Sequence, residues 1–103
     1  STGWCVSKKD ATDEQLQSSI DWACGQGIDC GAIQPGGACF EPNNVASHAA
    51  FAMNMYYQKS PKRPTDCDFS QTATITSQNP SMFSLKPQQS HECLFKYLLH
   101  LAM

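Results

Sequence analysis

The chain has no surplus of positive charge: seven Lys and Arg stand against nine Asp and Glu, only 16% of residues are charged, and the formal net charge is -2. Neutralising a phosphate backbone takes a concentrated basic patch, so nucleic acid is excluded as a partner. No apolar run reaches the about 20 residues needed to cross a bilayer, so membrane association would require a lipid anchor carried elsewhere in a longer protein. There is no Cys-x-x-Cys pair, and His48, His91 and His100 do not take zinc-finger spacing, so neither a metal nor an organic cofactor is implied. Internal repeats and low-complexity segments are also missing, and with 41% hydrophobic residues the chain reads as one globular domain. No N-glycosylation acceptor is present, because Asn79 is followed by Pro80. The sequence opens at Ser1 without Met or a signal-peptide pattern, which is expected of a mature or excised domain whose targeting segment has been removed.

What the chain does have is cysteine. Cys5, Cys24, Cys30, Cys39, Cys67 and Cys93 fall within 103 residues. A domain this small buries a modest core, and each disulfide adds about 2–4 kcal/mol, so the cysteines are read as the staples of a secreted module in an oxidising, extracellular or cell-wall setting. Six cysteines admit many complete pairings, and spacing alone does not choose among them. The Gly-containing bend between Cys24 and Cys30 makes a local bridge easy, which would fix the chain as it leaves the first helix.

That helix is predicted over residues 12–24. Thr12 caps it, Gln15 completes a capping box, and Asp13 and Glu14 occupy the first turn, where the helix dipole favours negative charge. Leu16, Ile20, Ala23 and Cys24 form its buried stripe, and Gly25 and Gly27 end it. Residues 31–42 hold too much Gly and Pro for regular structure and read as an ordered loop tied down at Cys39. A second helix is predicted from about Asn44 to Lys59, with Asn43 as its N-cap and Pro42 marking the approach. Beyond Pro61 and Pro64, the β-branched run Thr72-Ala73-Thr74-Ile75-Thr76 predicts a short strand. The apolar segment from Cys93 to Met103 is a candidate terminal helix.

The second helix has two distinct faces. Val45, Ala49, Ala52, Met53 and Tyr56 form a stripe that should meet the core. On the opposite face lie His48, Phe51, Asn54, Met55 and Gln58, a face that simple amphipathicity would leave in water, with Tyr57 between the two. Flat apolar surface beside amides suits a sugar, whose C–H face needs covering and whose hydroxyls need donors and acceptors. By spacing alone, an apolar residue there is more often core than site.

Longer motifs go further. Trp4-Cys5-Val6, Cys24-Gly25-Gln26-Gly27 with Asp29-Cys30, Ile33-Gln34-Pro35-Gly36-Gly37-Ala38-Cys39, and Phe51-Ala52-Met53-Asn54-Met55-Tyr56-Tyr57-Gln58 followed by Cys67-Asp68-Phe69 resemble carbohydrate-binding module family 43. This is the non-catalytic C-terminal domain of plant endo-β-1,3-glucanases, found also in olive-type pollen allergens and plasmodesmal callose-binding proteins. The resemblance implies a small disulfide-rich α+β fold with two main helices, a small antiparallel sheet and long coil segments. It implies a β-1,3-glucan partner of the callose or laminarin type, contacted through the segment that holds Phe51, Asn54, Tyr56, Tyr57 and Gln58, of which Tyr56 is expected to be largely core, and to these the helix face adds Met55 and His48. It also implies bridges Cys5 to Cys67, Cys24 to Cys30, and Cys39 to Cys93. The domain is expected over residues 1–81, with 82–103 a divergent C-terminal segment of the same domain. Family members place the last cysteine a few residues after the Asn-Pro-Ser segment, whereas here residues 82–92 intervene. Either Cys93 reaches Cys39 through a longer loop, at about 0.6 kcal/mol per doubling of loop length, or Cys39 stays free.

Two rival classes frame this reading. Catalysis would draw on Asp66 and Asp68, or Glu41 and Asp29, as paired carboxylates for glycoside hydrolysis, but carboxylates close in sequence are a weak signal and a short, coil-rich domain has little room for a deep cleft. The chain is therefore expected not to be an enzyme. A secreted protein-interaction or defence module without glucan binding is the alternative, supported by the apolar tail after Cys93.

Overall fold

The computed structural model describes residues 3–41 and 43–77. Strand β1, Trp4–Ser7, pairs antiparallel with β2, Ala73–Thr76, in the register Trp4 to Thr76 and Ser7 to Ala73. Between them run helix α1, Asp13–Cys24, and helix α2, Val45–Lys59, with single 3₁₀ turns at Cys30–Ile33 and Pro64–Cys67. Two helices, a two-stranded sheet and long coils make the expected small α+β domain.

Local chemistry accounts for the helix ends. Thr12 Oγ1 accepts from the Gln15 backbone N–H at 3.1 Å while Gln15 Oε1 accepts from the Thr12 N–H at 2.9 Å, so the capping box forms as expected. The second helix starts one residue later than its expected cap: Asn44, not Asn43, accepts from the Ser47 N–H at 2.8 Å. Either Asn has the required side chain, and packing selects the register. The predicted approach at Pro42, the terminal helix after Cys93 and the segment 82–103 lie outside the described residues.

A two-stranded sheet is marginal by itself, and here α2 supports it. Asn54 is fully buried, and its Oδ1 accepts from the Cys5 backbone N–H at 3.0 Å and from Gln58 Nε2 at 3.1 Å. Gln58 Nε2 also donates to the Gly3 carbonyl at 3.1 Å. Helix α2 thus packs against β1 as well as α1, and its core residues Ala49, Ala52 and Met53 have no exposed surface.

Two expected bridges are present, Cys5 to Cys67 and Cys24 to Cys30. Cys39 is buried and is not a free thiol, while its expected partner Cys93 lies outside the described residues. The two described bridges differ in reach. Cys5 to Cys67 spans 62 residues and Cys24 to Cys30 spans 6, so by loop-closure entropy the first contributes about 4 kcal/mol and the second about 2 kcal/mol. Replacing Cys5 and Cys67 together by Ser should therefore lower the denaturant midpoint about twice as far as replacing Cys24 and Cys30. Equal losses would contradict this ranking.

Candidate functional site

The face of α2 expected to meet solvent is inside the protein. Phe51 and Met55 are each 4% exposed, Tyr57 2% and Asn54 0%. His48 and Gln58 are half-buried, and both are bonded within the protein: His48 Nε2 lies 2.8 Å from the Phe40 carbonyl, and Gln58 bonds Gly3 and Asn54. Of the sequence-predicted residues, Asn54, Gln58 and His48 thus support β1 and the loop at Phe40, while Phe51, Met55 and Tyr57 join the core, and the six do not form a solvent-facing stripe. The physical reason is that a domain with so little core uses both faces of α2, the longest helix among the described residues.

The described residue with the largest exposed aromatic side chain is Trp22, at 49%. It lies off the Leu16, Ile20, Ala23 stripe of α1, and that displacement of a large aromatic ring was the available signal in the sequence. Half-buried Tyr56 from α2 and Phe69 from the loop before β2 flank it. Trp22 meets Tyr56 edge-on at a ring-centroid distance of 4.9 Å and Phe69 at 5.7 Å, and Tyr56 meets Phe69 at 5.8 Å. Such edge-to-face pairs are each worth about 0.5–1.5 kcal/mol beyond the area they bury, so the cluster holds itself together while leaving Trp22 accessible.

Beside this cluster is an open cleft of about 420 Å³ lined by Gln15, Ser18, Ser19, Trp22, Phe69, Ser70 and Thr72. Gln15, Ser18, Ser19 and Trp22 follow helical spacing along one flank of α1, and Phe69, Ser70 and Thr72 form the opposite wall. None of the lining residues is charged. The lining thus offers hydroxyls and an amide next to aromatic carbon, groups that suit a neutral polyhydroxylated ligand.

The wall opposite α1 is unusual backbone. Phe69, Ser70 and Gln71 take φ of 48°, 56° and 67° in succession, the left-handed region that costs a non-glycine residue roughly 1–2 kcal/mol. A compact set of bonds holds it. The Asp68 carboxylate accepts from the Gln71 N–H at 3.2 Å, the Asp68 carbonyl accepts from Thr72 N–H at 3.0 Å, and Thr72 Oγ1 donates to the Phe69 carbonyl at 2.6 Å. Thr72 Oγ1 also lies 3.0 Å from Ser19 Oγ, which ties the turn to α1.

One of the two carboxylate pairs considered for catalysis, Asp66 and Asp68, has other work. The Asp66 carboxylate accepts from Arg63 Nε and Nη2, each at 3.2 Å, and from the Arg63 backbone N–H at 2.9 Å. These bonds hold the Asp66 carboxyl below its ordinary range, the opposite of the shift a general acid needs. Asp68 fastens the left-handed turn.

Together these features define a disulfide-stapled α+β domain with an uncharged, aromatic-floored cleft open to solvent. The chain belongs to the X8 domain family, whose pattern matches residues 3–74. It is 83% identical over 81 residues to glucan endo-1,3-beta-glucosidase 7 of Arabidopsis thaliana, covering 79% of this chain and 16% of that protein. To major pollen allergen Ole e 10 of Olea europaea it is 58% identical, covering 76% of this chain and 64% of the allergen. To plasmodesmata callose-binding protein 5 of Arabidopsis thaliana it is 48% identical, covering 81% of this chain and 47% of that protein. The chain thus spans less than two thirds of the length of each of these relatives.

Two measurements check this assignment of roles. Phe51→Ala should remove about 3–5 kcal/mol of stability, read by chemical denaturation, as truncation of a buried ring does; an unchanged midpoint would place Phe51 at the surface. The Asp66 shift fixes the sign of a pH effect. A carboxyl depressed by folding contributes stability that is present above its unfolded value of about 4 and is lost as pH falls through the folded value. Asp66→Asn should flatten the fall in unfolding midpoint below about pH 4, and an acid limb identical to the parent's would contradict the assignment.

Proposed function

We propose that this chain is a non-catalytic binding module for β-1,3-glucan of the callose or laminarin type, and that the polymer lies in the cleft beside Trp22. The observation that carries the reading is an exposed Trp22 at the edge of a wholly uncharged cleft, in a member of a family whose relatives include glucan endo-1,3-beta-glucosidases and callose-binding proteins. Trp22 supplies the flat apolar surface that covers one face of a pyranose, and Gln15, Ser18 and Ser70 supply hydrogen bonds at the rim. The lack of charge favours a neutral glucan over an acidic wall polysaccharide.

In this reading the α2 residues act from beneath. Asn54 and Gln58 tie α2 to Cys5 and Gly3, His48 ties it to the Phe40 carbonyl, Phe51, Met55 and Tyr57 pack in the core, and α2 brings Tyr56 edge-on to the Trp22 ring. The binding unit is residues 1–81, a span supported by the family match over residues 3–74. The disulfides suit an extracellular or cell-wall setting. The high identity to a glucanase of which the match is a small part supports a role as an appended domain that holds a catalytic partner on its polymer.

Trp22→Ala tests the proposal. Affinity for laminarihexaose, measured by isothermal titration calorimetry, should fall about tenfold or more, the loss expected when a stacked ring is removed, while the amide spectrum stays that of the folded domain. Unchanged affinity in a folded variant would move the site elsewhere.

A further inference from the structure

Of the three clustered rings, Trp22 and Phe69 line the cleft, and no two of the three share a plane. Trp22 meets Tyr56 at 68° and Phe69 at 83°, and Tyr56 meets Phe69 at 82°. Coplanar rings match an extended ribbon such as a β-1,4-linked glucan, whose successive sugars present flat faces along one surface. A β-1,3-linked chain curls, because its linkage leaves each ring at an angle to the chain direction. Successive sugars then turn relative to one another, and a floor with an upright wall matches that turn.

The upright ring is held there by its backbone. Phe69 opens the left-handed turn through Gln71, the Asp68 carboxylate and carbonyl fasten it from one side, and the contact between Thr72 and Ser19 hydroxyls fixes it to the helix that carries Trp22. Floor and wall are thus set relative to each other before a ligand arrives, and preorganisation of this kind reduces the ordering cost of binding.

We propose that Phe69 is the linkage-specificity residue of this site: Trp22 receives the face of one glucosyl unit and Phe69 walls the next, so that the cleft accepts a β-1,3-linked chain and rejects an extended β-1,4-linked one. The inference rests on the reading of the cleft as a glucan site. Ser70 on the wall and Ser18 on the helix flank the same cleft and hydrogen-bond the hydroxyls of the enclosed sugars.

The test begins with the unaltered protein and laminarihexaose, using intermolecular nuclear Overhauser effects to the aromatic protons. Contacts from Trp22 and Phe69 to different glucosyl units are expected. Contacts to Trp22 without Phe69, or to both rings from a single glucosyl unit, would overturn this inference and leave the glucan reading standing. No binding of laminarihexaose by the folded protein would overturn both. Phe69→Leu, which keeps apolar bulk and removes the ring, gives the second arm. Its preference for laminarihexaose over cellohexaose should narrow by about three- to tenfold relative to the parent, the size of one lost ring contact. An unchanged preference in the folded variant would also overturn the assignment.

Discussion

Cys5 is the point on which the rest of the described structure depends. Its side chain is fully buried and bridged to Cys67, its backbone N–H is held by Asn54 of α2, and it sits in β1 opposite Ile75 of β2. One residue thereby joins β1, α2 and the segment leading into β2. A two-stranded sheet and two helices would otherwise have little reason to stay in one arrangement, because so small a domain has no deep core to enforce it.

The cleft inherits its geometry from that point. Phe69 follows Cys67 by two residues, so the bridge to Cys5 fixes where the left-handed turn begins. The turn costs conformational energy at three consecutive residues, and strained backbone of this kind persists where surrounding bonds over-determine it and where a site needs a fixed shape. Here the fastening comes from Asp68, Thr72 and Ser19. On the other side of the cleft, the Thr12 and Gln15 capping box sets the start of α1 and hence the rotation at which Trp22 emerges. The proposed binding by stacking calls for this rigidity rather than for reactive groups, and the carboxylates of Asp66 and Asp68 serve as structural acceptors.

Signals confined to one stretch of chain were legible in the sequence. The capping box and Gly25 delimit α1, the β-branched run gives β2, and the Gly-containing bend between Cys24 and Cys30 allows their bridge; the family motifs added the pairing of Cys5 with Cys67. The solvent exposure of α2 was not legible. Helical periodicity says which residues share a face, but not whether a second element covers that face, and β1 covers the one with Asn54. Trp22 stands out only once its position off the apolar stripe of α1 is weighed, and Phe69 becomes part of the same cluster through a left-handed turn that contains no glycine to announce it. Strand β1 was hidden for a similar reason: four residues, Cys5 among them, are too few for a periodic pattern and acquire strand structure from their partner.

The proposed ligand surface lies beside α1 and the Phe69 turn rather than on α2. Its most direct test is a chemical-shift map of backbone amides and the Trp22 indole N–H during titration with laminarihexaose, with cellohexaose as the control. The laminarihexaose shifts should cluster on residues 15–22 and 68–72 and include the Trp22 indole. Shifts confined to residues 48–58, with the Trp22 indole unmoved, would contradict it.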